Sequence, residues 1–102
     1  MTERINLSQI RTDGGTQARA GLNKETVKEY QELLDGSGGV WPFRDPVILY
    51  HDGNDYWLAD GFHRVEACRR NGRFVAEADV RQGTQRDAIL HAAPIRLSGT
   101  SG

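Results

Sequence analysis

The stretch Trp57-Leu58-Ala59-Asp60-Gly61-Phe62-His63-Arg64-Val65-Glu66-Ala67 decides how the chain is read. Asp55 to Ala59 is a short strand signal, and the helix that follows runs to about Asn71 and stops at Gly72. Between them, Asp60 reads as the helix N-cap. Gly61 lets the backbone approach a ligand closely, because it has no Cβ. A helix start leaves about four amide N–H groups without partners, and the dipole adds roughly half a positive charge there. His63 and Arg64 fall in the first turn, where cations are unfavourable against that dipole. Their placement makes sense if Asp60 to Arg64 receives an anion. Arg64 offers a planar fork that matches phosphate oxygens, and His63 a further hydrogen bond. The plainer alternative is an ordinary capped helix with incidental polar residues.

Working outward, Pro46 leads the apolar run Val47-Ile48-Leu49-Tyr50, and His51-Asp52-Gly53-Asn54 carries a hairpin signal into Asp55. Upstream, Ile5 to Ile10 largely alternates apolar and polar residues, a half-buried strand pattern, and Arg11 to Gly21 reads as a loop. Asn23 caps a helix that ends at Gly36, with Val27, Tyr30, Leu33 and Leu34 as its apolar face. Ser37-Gly38-Gly39 breaks the chain before Val40-Trp41-Pro42-Phe43. Downstream, Phe74, Ala76, Ala78 and Val80 alternate along a strand. Thr84 and Asp87 then open a last helix, which Pro94 ends near Ala92-Ala93. The order β-α-β-β-α-β-α predicts an α+β domain with a small mixed β-sheet and helices packed on it. We expect this domain over 1–93 and a flexible C-terminal tail over 94–102.

The whole chain narrows the function classes. Its 102 residues suit one domain, and 37% hydrophobic with 26% charged residues describes a polar-surfaced globule. A net charge of -1 supplies no global field for DNA or membranes. A single cysteine, Cys68, excludes an intrachain disulfide. No run of about 18 apolar residues suggests a membrane span, and the N-terminus lacks a signal-peptide profile, so the expected location is the cytoplasm.

The order Thr16-Gln17-Ala18-Arg19, a helix, Pro46-Val47-Ile48-Leu49, a hairpin, Trp57 to Ala67 and Asn71-Gly72 resembles the N-terminal domain of the ParB family. It is also similar to the wider ParB/sulfiredoxin superfamily, over roughly residues 5 to 92. The resemblance implies a nucleotide-binding fold. Gln17 and Arg19 match its first ligand-contacting element, and Gly61 and Arg64 match the phosphate-holding Gly and Arg of the second. His63 stands where ParB has Arg or Asn. Phe62 replaces the ParB Glu associated with metal and triphosphate hydrolysis, which separates binding from hydrolysis. In sulfiredoxin the turn carries a catalytic cysteine; here that position is Phe62 and Cys68 lies further along the helix, so sulfiredoxin activity is rejected. Free-serine kinases carry Asp-Gly-His-His-Arg, which Asp60 to Arg64 matches except at Phe62. In that setting Asp60 would help bind Mg²⁺ or take a hydroxyl proton, with Glu66 as the other acidic candidate.

The implied nucleotide-binding set is Gln17, Arg19, Asp60, Gly61, His63 and Arg64. The implied cofactor is Mg²⁺ with CTP or ATP. The function implied is a regulatory or switch module in DNA segregation or transcription control, of plasmid or phage kind. A small NTPase or phosphotransferase is the first alternative, and a DNA-contacting or nuclease domain the second. The partners are a nucleotide and a second copy in a homodimer. DNA enters only indirectly or through a helix-turn-helix domain outside this chain, and no membrane is involved.

The remaining candidates have plain readings. His51, His63 and His91 show no metal-ligand spacing. Cys68 reads as a buried helix residue. Trp41 and Phe43 fit either base stacking or packing. Arg69, Arg70 and Arg73 read as dipole compensation on a solvated face, and Arg86 as a residue that reaches the ligand if the last helix folds over the site.

Overall fold

In the computed structural model, residues 2–12 and 22–92 are described. Gln17, Arg19 and the boundary between residues 93 and 94 lie outside them. The elements are β1 (Thr2–Asn6), a 3-10 turn (Leu7–Gln9), β2 (Ile10–Arg11), α1 (Lys24–Asp35), β3 (Val47–His51), β4 (Tyr56–Asp60), α2 (Phe62–Arg70), β5 (Val75–Gln82) and α3 (Gln85–Ala92). They form one mixed five-stranded sheet in the order β1-β5-β3-β4-β2. The β1/β5 and β3/β4 pairs are antiparallel, and the β5/β3 and β4/β2 pairs are parallel.

The expected strand from Ile5 to Ile10 is two strands. β1 pairs at one edge of the sheet and β2 at the other. The spacing of its buried residues Ile5, Leu7 and Ile10 changes from two to three, which breaks the period of a strand. A flat sheet of five strands is about 19 Å wide. The four residues from Asn6 to Ile10 reach at most about 14 Å, so the sheet must curl until its edges approach.

The curled face holds the main core: Val47, Leu49, Leu58, Ala76 and Ala78 from the strands, Val27 and Leu34 from α1, and Val65 and Cys68 from α2. Alternate residues of β3 and β4 face the other way. There Trp57, Ala59, Ile48 and Tyr50 pack against Ala88 of α3. One sheet therefore carries α1 and α2 on one face and α3 on the other, with α3 anchored through one buried alanine. Its start is the capping box expected from sequence. Asp87 Oδ2 accepts from the Thr84 amide at 2.8 Å, and Thr84 Oγ1 accepts from the Asp87 amide at 3.3 Å.

Two apolar assignments move. Leu33 lies off the buried stripe of α1, and Phe74 precedes β5 at 81% exposure instead of sharing the side of Ala76 and Ala78. The hairpin is tied by Asp52. Its carboxylate accepts from the Asn54 and Asp55 amides, both at 2.8 Å, and from the Trp57 indole at 3.0 Å. These donors, the Asp55 amide foremost, hold the Asp52 carboxyl down at about 2.

Candidate functional site

The turn from β4 into α2 is tighter than a capped helix start. Asp60 is the last residue of β4, and the N-cap is Gly61, at φ 104° and with no side-chain cap. Asp60 is therefore not the cap that its position in the sequence suggests. A strand running straight into a helix needs a left-handed residue at the corner, and only glycine adopts that backbone without cost. Space imposes the same choice, since a Cβ at Gly61 would stand 2.5 Å from Val47 Cγ1. Gly61 thus lets the turn press onto β3.

Arg64 is drawn inward. Its Nη1 donates to the carbonyl oxygens of Asp45 at 2.6 Å and Pro46 at 3.2 Å, and its side chain is only 14% exposed. Its Nη2 lies 3.5 Å from Asp60 Oδ2. The guanidinium is oriented by backbone carbonyls on one side and meets an exposed carboxylate on the other. His63 is turned toward α1, where its Nε2 accepts the Asn23 amide at 2.9 Å. That nitrogen must be unprotonated to accept, which puts the imidazole proton on Nδ1. Asn23 Oδ1 in turn accepts the Glu25 and Thr26 amides as the cap of α1.

These bonds show how the two helices lie. The start of α1 touches the start of α2 through Asn23 and His63. Their ends meet through Asn71, whose Nδ2 donates to Gln31 O and Asp35 Oδ1, both at 3.0 Å. α1 and α2 therefore run side by side in the same direction, and both positive dipole ends converge at the turn. The first-turn amides of α2, from Phe62 to Arg64, have no partner within the helix by its geometry, and Gly61 offers no side chain to them. The first turn of α2 thus has an oriented guanidinium beside amides without helical partners, the donor types that anion recognition uses.

Other candidate residues sit elsewhere. The Glu66 carboxylate faces along α2 and accepts Arg70 Nε at 2.8 Å. Arg86 is exposed on α3, on the opposite face of the sheet from the turn. Trp41 and Phe43 pack edge-on, Phe43 against Tyr30 as well, each pair of ring centroids 4.9 Å apart, and Trp41 Nε1 donates to Asp45 O at 3.2 Å. Packing is their observed role. His51 stacks on Tyr56, His91 meets the Tyr50 hydroxyl, and His63 meets Asn23, so the three histidines stand at three separate places. Cys68 is buried, and burial pushes its thiol up to about 11 against the opposing pull of the Arg73 charge.

In the basic cluster Arg69 and Arg70 are exposed, as a solvated face requires, while Arg73 is half-buried and compensates the C-terminal end of α1 instead of its own helix alone. Arg73 Nη2 donates to Leu34 O at 2.7 Å and Ser37 Oγ at 2.8 Å, and Arg69 Nη2 donates to Ile10 O at 3.1 Å. The partners of Asn71 and Arg73 and the Asn23–His63 bond escaped the sequence reading. Each joins residues about forty positions apart, and no local pattern marks such pairs. A groove of about 690 Å³ opens beside this C-terminal end of the helix pair, bordered by Leu34, Val40, Trp41, Arg73 and Phe74. No residue of the turn lines it. Of its cations, Arg73 serves backbone and hydroxyl oxygens and Arg4 pairs with Glu77, so it lacks the convergent donors that the turn has.

No protein-family model and no curated protein matches the chain. Solved structures do. Sulfiredoxin from Arabidopsis thaliana superposes with a TM-score of 0.72 at 20% identity, over 92% of this chain and 99% of that one. The C-terminally truncated chromosome-partitioning protein ParB from Caulobacter crescentus, complexed with CTP-gamma-S, superposes with a TM-score of 0.70 at 13% identity. That match takes in 97% of this chain and 53% of ParB, so the chain spans about half of it. A free serine kinase in complex with AMP gives a TM-score of 0.59 at 21% identity, over 78% of this chain and 30% of the kinase. No described helix is long and apolar enough to cross a membrane. The curled mixed sheet with α1 and α2 on its concave face is thus the fold that sulfiredoxin and ParB share.

Proposed function

We propose that this domain binds a nucleotide by its phosphates at the turn Gly61 to Arg64 and serves as a regulatory or switch module of the ParB kind. The observation that carries the reading is the meeting of two helix N-termini at the turn, through Asn23 and His63, next to an arginine whose guanidinium is already oriented by the Asp45 and Pro46 carbonyls. Preorganised donors lose little freedom when the ligand arrives. The likeness to a ParB complexed with CTP-gamma-S and to a kinase complexed with AMP supports a nucleotide over a simple anion. In this reading Gln17 and Arg19 complete the phosphate contacts, with Mg²⁺ on the triphosphate. Phe62, where relatives of this kind carry a Glu or a Cys that acts, favours binding over chemistry. A homodimer, cytoplasmic location and an indirect link to DNA in segregation or transcription control belong to the same proposal.

Calorimetric titration with CTP, ATP and GTP, with and without Mg²⁺, tests it. At least one nucleotide should bind in the micromolar to millimolar range, and Arg64→Ala should weaken that binding by about tenfold or more, the loss of a charge-assisted contact. Absence of binding by all three nucleotides refutes the reading. Release of nucleoside diphosphate above the buffer rate in the same samples would turn it from a switch into an NTPase or phosphotransferase.

A further inference from the structure

Two sides of the Arg64 guanidinium differ in what holds them. Nη1 is held by two carbonyl oxygens at 2.6 and 3.2 Å. The other edge of the fork, formed by Nε and Nη2, is the one a phosphate would take, since bidentate recognition uses two parallel N–H groups. Asp60 Oδ2 stands at that edge, 3.5 Å from Nη2, on a side chain that is 57% exposed. The carboxylate is a poor N-cap because it sits on the strand side of Gly61, and it makes no capping bond to α2. Its described ion pair is the one with Arg64.

Resting on the phosphate reading above, we infer that Asp60 is a specificity-determining residue that acts as an internal competing anion at the Arg64 fork. An exposed pair at 3.5 Å is weak and displaceable, so a ligand with enough charge can replace it. The two Nη1 bonds to Asp45 and Pro46 are shorter than the contact with Asp60, so the guanidinium keeps its orientation through the exchange. The displaced carboxylate remains one residue from the helix start and repels the incoming anion. Asp60 therefore sets a threshold: the turn rejects weakly bound single anions and admits ligands that bring further contacts, as a nucleotide does.

The test measures binding of metal-free tripolyphosphate, in the presence of EDTA, to the wild type, Asp60→Asn, Arg64→Ala and the double variant. Asp60→Asn should bind about three to ten times more tightly than the wild type, the combined removal of a weak pair and a like charge. That gain should vanish in the Arg64→Ala background, because it acts through the fork. Asp60→Ser serves as a second variant and should show the same direction. A wild type that binds nucleotide, with Asp60→Asn binding tripolyphosphate no more tightly than the wild type does, overturns the inference alone. So does a gain that survives in the Arg64→Ala background, which would mark a general charge effect. If no variant binds tripolyphosphate and the wild type binds no nucleotide, the phosphate reading falls and the inference with it.

Discussion

At their C-terminal ends, α1 and α2 are closed by side chains that come from one short segment. Asn71 bridges Gln31 and Asp35, and Arg73 donates to Leu34 O and Ser37 Oγ. At their N-terminal ends, among the described residues, the same two helices are joined by the bond from the Asn23 amide to His63 Nε2, while the N-cap Gly61 gives α2 no side-chain cap. Parallel dipoles place about half a charge of the same sign at each shared end. One end neutralises it internally with an arginine and an asparagine. The other has its arginine pinned by carbonyls, and the first turn of α2 there has no side-chain cap. A residue type alone does not separate the two ends, since both have an arginine. What that arginine faces does.

The largest effect expected from disturbing this contrast is at the corner itself. Gly61→Ala should destabilise the domain by about 2–4 kcal/mol, from left-handed strain plus overpacking against Val47, in urea or thermal denaturation. Val47→Ala in the same chain should recover part of that loss, and no recovery would show that the contact with Val47 is not limiting. At the closed end, Arg73→Ala should cost about 1–3 kcal/mol by leaving the Leu34 carbonyl without its charged donor. It should leave nucleotide affinity unchanged, unlike Arg64→Ala; a comparable affinity loss would erase the distinction between the ends. The smallest effect lies outside both. The Asp52 carboxyl is held at about 2 in the fold, below its ordinary value of 3.8. It therefore adds stability above pH 4 that is lost as pH falls from about 4 toward 2. Asp52→Asn should flatten the acid limb of the melting temperature across that window, while the limb of an Arg73→Ala variant keeps its wild-type shape.

Much of the fold was legible because it rests on local chemistry. The hairpin at Asp52-Gly53, the Asn23 cap and the Thr84–Asp87 capping box are decided within a few residues, and the structure has each of them. The split of Ile5 to Ile10 was not legible, because each half pairs with a different edge of a curled sheet. The turn at Asp60 to Arg64 was legible as a strand-to-helix corner with cations in its first turn. The sequence misassigned its cap, since Asp and Gly are both good caps and only the path of β4 chooses between them. It read Arg69, Arg70 and Arg73 alike, as dipole compensation on a solvated face, and could not tell that they reach Ile10, Glu66 and Leu34 respectively.

By itself, then, the sequence determined most element types, the polar composition, and a glycine shortly before His63 and Arg64 at a helix start. Those follow from periodicity, capping and composition, which act over a few residues. Only the tertiary structure decided that α1 lies parallel to α2, that Arg64 is oriented by Asp45 and Pro46 with Asp60 at its open edge, and that Arg73 closes the far end. Apart from the Asp60–Arg64 pair, four residues apart, these choices depend on pairings across eighteen to about forty residues. Burial and sheet closure fix such pairings, and they leave no mark in local sequence.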